Sequence, residues 1–257
     1  MTIQPRKDTL DRLLWMSHEL GRPELDYAML GEGNTSARID DATFFVKASG
    51  SELRTLDEGG LVEVSLARAL DLLDAPDISD GAVKAGLAAA KIDPAFPRHP
   101  SVETVLHALA LTEGGAAWVG HTHPIAVNAI LCSQAAEAAY AGRLFPDEIV
   151  ICGPAPVFIP YTDPGLPLAR RVRQEMRVYI ERWGQPPKVI LMQNHGLIAL
   201  GKSAQEVLNV TAMAVKTARV LVGTYALGGP NFFTAEQVAR IHTRPDELLR
   251  RKALGLQ

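Results

Sequence analysis

Two histidines one residue apart, in Val119-Gly120-His121-Thr122-His123-Pro124, are the residues of this sequence best suited to chemistry. Alternate side chains of an extended segment point to the same side. His121 and His123 would therefore present two imidazoles to one point. A third histidine, in Gln193-Asn194-His195-Gly196-Leu197, lies in a short polar connection between two apolar runs. Three neutral imidazoles with one open position are a usual arrangement for a catalytic zinc ion. The same residues also read as ordinary polar side chains at strand ends, and spacing alone leaves both readings open.

Glu103 is the best carboxylate candidate. It falls in the first turn of a helix predicted over 101–111, with Ser101 as N-cap, where the helix dipole favours negative charge. It reads as a good helix-start residue or as a general acid/base beside a metal. His107 lies four residues on, on the same helix face, and is expected to form a hydrogen-bonded structural pair with Glu103. His99 lies in a loop and could line a pocket. His18 and His242 read as surface residues.

Two small-residue segments, Gly31-Glu32-Gly33-Asn34-Thr35-Ser36 and Lys47-Ala48-Ser49-Gly50-Ser51, read as loops. Such loops expose backbone amides and hydroxyls that can hold an oxyanion, yet neither carries a nucleotide-binding pattern. Each also reads as a structural turn. Lys47 either adds positive charge for a phosphate or carboxylate, or ends its strand in solvent.

The elements that must position these groups follow from periodicity. Helices are expected over 7–20, 66–73, 81–91, 101–111, 125–131, 165–183 and 203–227, the 66–73 helix capped by Ser65. Strands are expected over 43–47, 61–64, 116–120, 148–152, 156–159, 189–192 and 197–200. Residues 75–80 read as a turn, and the proline-rich 94–100 cannot be regular helix. Short connections between strands call for a largely antiparallel or mixed sheet. The whole chain, 1–257, reads as one α/β domain, with a helical and more exposed extension over 228–257.

The 257 residues are 47% hydrophobic, enough for a sizeable core, and the net charge of −3 gives no general attraction to nucleic acid or anionic membrane. The two cysteines, Cys132 and Cys152, sit in apolar stretches and read as buried thiols. Residues 1–8 lack the apolar core of a signal peptide. No apolar run reaches the roughly 18 residues of a membrane span. A cytoplasmic, soluble protein is expected.

Five motifs occur in order: Gly33-Asn34-Thr35-Ser36, Ala48-Ser49-Gly50, Pro100-Ser101-Val102-Glu103, His121-Thr122-His123-Pro124 and Asn194-His195-Gly196. Together, over roughly 7–225, they resemble the class II aldolase/adducin family, which includes fuculose- and rhamnulose-phosphate aldolases and ribulose-phosphate 4-epimerase. The resemblance implies a three-layer α/β/α domain around a mostly antiparallel (mixed) sheet, assembled as a homotetramer with sites between subunits. It implies a divalent metal, Zn2+ or another such as Mn2+ or Co2+, on His121, His123 and His195, with Glu103 as the catalytic carboxylate. Asn34, Ser49, Gly50 and Ser101 match positions that hold substrate phosphate, with Thr35 and Lys47 beside them. The implied reaction is retro-aldol cleavage of a ketose or ketose phosphate through a metal-stabilised enediolate. A 3-oxo acid decarboxylase, a sugar-phosphate 4-epimerase and a non-enzymatic adducin-like scaffold are the rivals.

Departures from the pattern bear on the substrate. Val102 stands where many sugar-phosphate members have a second serine. No tyrosine donor from a neighbouring subunit is securely placed; Asp147 is the expected substitute, with Tyr140 and Tyr225 as other candidates. Residues 46–51 and 145–147 are closer to the rhamnulose-aldolase-like domains of bifunctional enzymes, whose dehydrogenase activity is not expected of this sequence.

Overall fold

A computed structural model describes residues 6–76, 79–253 and 255. The expectations for residues 1–5 and for Asp77 and Ile78 of the 75–80 turn lie outside the described residues.

The helices are α1 (Arg6–Leu20), α2 (Leu66–Asp74), α3 (Asp80–Ala89), α4 (Thr104–Leu111), α5 (Ile125–Leu131), α6 (Ala136–Ala139), α7 (Pro146–Cys152), α8 (Leu166–Trp183), α9 (Ala204–Tyr225), α10 (Ala235–Thr243) and α11 (Pro245–Ala253). The strands are β1 (Asn34–Arg38), β2 (Thr43–Lys47), β3 (Leu61–Ser65), β4 (Trp118–Thr122), β5 (Val157–Ile159), β6 (Val189–Met192) and β7 (Gly196–Gly201). They form one open sheet in the order β3-β2-β1-β4-β7-β6-β5. Every neighbouring pair is antiparallel except β5 with β6. The expected mixed, mostly antiparallel α/β/α architecture is observed.

Strand alternation builds a core on each side of this sheet. Phe44, Val46, Val62, Val64, Val119, Ile190, Ile198 and Leu200 face one way, onto α2, α4 and α8. Phe45, Trp118, Val189, Leu191, Leu197 and Ala199 face the other way, with Leu13, Met16 and Leu20 of α1 and Val207, Val210 and Leu221 of α9. Strands covered on both faces are apolar at successive positions, which explains the continuous run Val189-Ile190-Leu191-Met192. Among the described residues no helix is long and apolar enough to cross a membrane.

Three element assignments differ from expectation. Residues 34–36, read as part of a loop, belong to the strand β1 beside the centre of the sheet. Its polar composition hid it, and the side chains of Asn34, Thr35 and Ser36 are satisfied by buried polar partners rather than water. Residues 148–152, read as a strand, belong to helix α7. Pro146 presets the first helical turn. Arg143 donates to the carbonyls of Cys152 and Gly153, satisfying the last turn, and forms a buried ion pair with Glu148 at 2.7 Å. The 101–111 helix begins only at Thr104. The preceding segment still pairs with the end of β2, through Ser49 N to His99 O at 3.0 Å and Ser101 N to Lys47 O at 3.3 Å.

Cys152 is buried as expected, but Cys132 is exposed. His242 is only half-exposed, between Gln185 and Arg251, rather than a free surface residue.

Candidate functional site

β4 is the central element of the site. Val119 and His121 face the α4 side of the sheet, while Trp118 and Gly120 face α1 and α9. His121 pairs in register with Asn34 of β1 and Ile198 of β7. His123 lies just past the strand end, held by its N–H to the Tyr27 carbonyl at 2.8 Å. His195 comes from the tight β6–β7 connection, where Asn194 adopts the left-handed conformation (φ 54°) that asparagine tolerates. Asn128 of α5 donates to the His195 carbonyl at 3.0 Å and fixes that turn.

The three imidazoles converge. Their ring centroids are 4.7, 5.0 and 5.2 Å apart, and one ligating nitrogen from each lies within 4.8 Å of the others. His121 Nδ1 is 3.0 Å from the Leu197 carbonyl, and His123 Nδ1 is 3.2 Å from Glu32 Oε2. Both acceptors demand a proton on Nδ1, so each neutral ring keeps a bare Nε2. Those two Nε2 atoms face each other at 3.0 Å. Burial pulls the pKa of both rings down to about 4, so neither is charged at neutral pH. Facing lone pairs in a buried site are unfavourable unless a positive centre lies between them. The donor set therefore fits a divalent metal, and the outer hydrogen bonds are those that orient metal-bound histidines.

Glu103 completes the cluster from the N-cap position of α4. Its Oε2 accepts from Asn34 Nδ2 at 2.7 Å and lies 3.4 Å from His121 Nε2. Its Oε1 is 3.3 Å from His195 Nε2 but makes no well-formed hydrogen bond. Burial works to raise the Glu103 pKa. The adjacent His121 and His195 and the Asn34 N–H outweigh it and hold the carboxyl well below its usual range. Glu103 is thus an ionised, nearly buried acceptor set against the rings of His121 and His195.

The expected anion-binding residues divide. Asn34 and Ser101 touch Glu103: Ser101 Oγ accepts the Glu103 N–H at 3.3 Å and the Asn34 amide at 3.3 Å. Ser49 and Gly50 form an exposed turn next to them, with Gly50 at φ 76° where glycine carries no penalty. Thr35 is not brought to the cluster. Its side chain faces α1, 2.7 Å from Ser17 Oγ, because it alternates with Asn34 along β1. Lys47 is only 2% exposed, so it does not end its strand in solvent. Its ammonium donates to the carbonyls of Gly31 and Ser51, tying the two small-residue loops together. Burial lowers its pKa to about 8, leaving it mostly charged at neutral pH.

Asp147 lies on α7, paired with Arg250 at 2.6 Å, and no observed contact joins it to the cluster. His107 does not pair with Glu103 as spacing suggested; its ring nitrogens meet Ser36 and Asn34 instead. Glu32 is the residue that sequence reasoning missed. It is the acid in the first small-residue loop, and the preference of metal-bound imidazoles for a carboxylate partner is the signal that could have found it. A cavity of about 710 Å³ opens on the other side of Ser49 and Val102, walled by α3 and the turn before α8, and His99 lines it. None of the three clustered histidines does.

The family described as "Class II Aldolase and Adducin N-terminal domain" matches residues 12–222. The class II aldolase domain of a conserved protein from Thermoplasma acidophilum is 26% identical over 83% of this chain and 93% of that one, with a TM-score of 0.64. An L-fuculose 1-phosphate aldolase gives a TM-score of 0.69 at 15% identity, covering 94% of this chain and 98% of that one. YgbL of Klebsiella pneumoniae, described without a choice between aldolase, epimerase and decarboxylase, gives 0.66 at 20% identity, covering 93% and 99%. Comparison with curated proteins gave no match.

Proposed function

Because the chain belongs to the class II aldolase and adducin family, we propose that it is a divalent-metal-dependent aldehyde-lyase that cleaves a ketose or ketose phosphate by a retro-aldol reaction. The observation that carries this reading is the set of bare imidazole nitrogens beside a buried carboxylate oxygen that lacks a donor. A scaffold has no use for such a set. Zinc is the first candidate metal because three histidines with an open position suit it.

His121, His123 and His195 would hold a divalent cation, which would supply Lewis-acid stabilisation of the negative charge that develops on a ketose oxygen. The chain's own residues manage protons and position. Glu103, ionised at neutral pH, takes the proton from the carbon beside the ketone in the bond-forming direction; in cleavage it first takes up a proton from solvent, matching the one that the hydroxyl acceptor later releases, and gives it to that carbon. Asn34 holds the far oxygen of that carboxylate in place. Low exposure of His121 and Glu103, 1% and 6%, keeps bulk water from the reacting carbon. The hydroxyl proton lost as the aldehyde forms is assigned to Asp147 of a neighbouring copy of the chain, in the expected homotetramer.

Ser49, Gly50 and Ser101 are proposed to receive the substrate's distal oxyanion, with the buried Lys47 charge behind their loop. That charge suits a carboxylate as well as a phosphate. With Val102 in place of a hydroxyl donor, it motivates a second reading, decarboxylation of a 3-oxo acid. A test is to incubate the zinc-loaded enzyme with ketose phosphates and with 3-oxo acids. Aldehyde release without carbon dioxide supports the lyase; carbon dioxide release without aldehyde supports the alternative.

A further inference from the structure

The polar cluster under Glu103 continues one layer deeper than the proposed reaction uses. His107, one helical turn along α4, is only 1% exposed. Its Nδ1 lies 2.6 Å from Ser36 Oγ, and its Nε2 is hydrogen-bonded to Asn34 Oδ1. Burial lowers its pKa to about 4, so the ring is neutral and carries a single N–H. An amide oxygen can only accept, whereas a serine hydroxyl can donate. Both bonds form only if the proton sits on Nε2 and Ser36 donates to Nδ1.

This tautomer decides the orientation of Asn34. With Oδ1 held by His107, Nδ2 must point the other way, to Glu103 Oε2 at 2.7 Å and Ser101 Oγ at 3.3 Å. A flipped amide would set N–H against N–H at His107 and oxygen against oxygen at Glu103. Two buried hydrogen bonds would be lost together, in a place where unpaired polar groups are costly.

We infer that His107 is a positioning residue: its Nε2–H form orients the Asn34 amide, which anchors Glu103 Oε2 and leaves Oε1 without a donor beside His195. The chain Ser36–His107–Asn34 crosses between β1 and α4 and acts on the substrate only through Glu103. It also separates His107 from His121 and His123, whose acceptors demand the opposite, Nδ1–H, form. The inference deepens the lyase reading, and its turnover arm rests on that reading. Its tautomer arm does not.

Nitrogen NMR of the full-length protein labelled at histidine, with and without zinc, reads the tautomer directly. The expected result is a neutral Nε2–H imidazole whose signal vanishes in His107→Gln. A His107 signal of the Nδ1–H or doubly protonated type overturns the inference. For turnover, His107→Leu should lower kcat about 10–100-fold with KM and zinc content unchanged. His107→Gln, which can still donate to Asn34, should recover most of that loss. Equal turnover of His107→Leu and wild type, or no recovery in His107→Gln, overturns it. If the wild type releases no aldehyde from any ketose or ketose phosphate, the lyase reading fails, and the NMR result decides the role of His107 alone.

Discussion

Glu32 Oε2 lies 3.2 Å from His123 Nδ1, while Glu32 Oε1 accepts the Met29 N–H at 2.6 Å. One carboxylate thus fixes the tautomer of an imidazole and shapes the loop that carries it. Removing such an outer partner typically costs 10–100-fold in metal affinity. Glu32→Ala should therefore weaken zinc binding by about that factor in a chelator-competition titration, with little change in melting temperature. Unchanged affinity would separate Glu32 from the metal centre.

Gly196 opens β7 directly against the histidines. A Cβ there would lie 2.6 Å from the Thr122 carbonyl and 2.7 Å from a His123 ring carbon. The carbonyl belongs to a strand and cannot move alone. Gly196→Ala should cost about 1–3 kcal/mol of stability, as overpacking does, and weaken metal binding as well. Urea unfolding and metal titration on one preparation check both; a variant as stable as wild type with full metal affinity contradicts the crowding.

Glu103→Gln keeps the shape of the side chain and its contact with Asn34, but cannot accept a proton at the reacting carbon. It should retain stoichiometric metal and lose about 100-fold or more in kcat. Near-normal lyase turnover with metal bound would show that Glu103 is not the acid/base.

Acid should destabilise the metal-free protein through its buried imidazoles. His107 and His121 titrate at about 4 when folded, against 6.5 ordinarily, because burial disfavours their charged forms. Between those values the unfolded chain binds protons that the folded chain does not, so stability falls as pH falls. His107 alone accounts for on the order of 3 kcal/mol across that window. Urea midpoints measured with chelator at pH 7.5 and pH 5 should decrease on acidification. A rise would mean that these rings gain protons on folding.

Much of this arrangement is legible in the sequence where one physical cause dominates. Apolar periodicity identifies α1, α5, α8 and α9, and the continuous apolar run at 189–192 identifies a doubly covered strand. The motif set places His121, His123, His195, Glu103, Asn34 and Ser101, which the fold brings together. Where the reading fails, tertiary partners outweigh local preference. Asn34 and Ser36 are poor strand formers and only Thr35 favours strand, yet buried hydrogen bonds to Glu103, Ser17 and His107 make all three strand. Ile149, Val150 and Ile151 favour strand locally, but Arg143 and Pro146 fix the ends of a helix around them. Lys47 reads equally as a charge for an anion or as a strand end in solvent, because its partners, the carbonyls of Gly31 and Ser51, have no signature in side-chain sequence.

The most direct test of the central claim is the metal content of purified protein after zinc loading and dialysis, wild type beside His123→Ala. The account predicts about one divalent ion per chain in the wild type, and its loss in the variant. A wild type that holds no metal, or a variant that holds as much, would contradict a three-histidine centre.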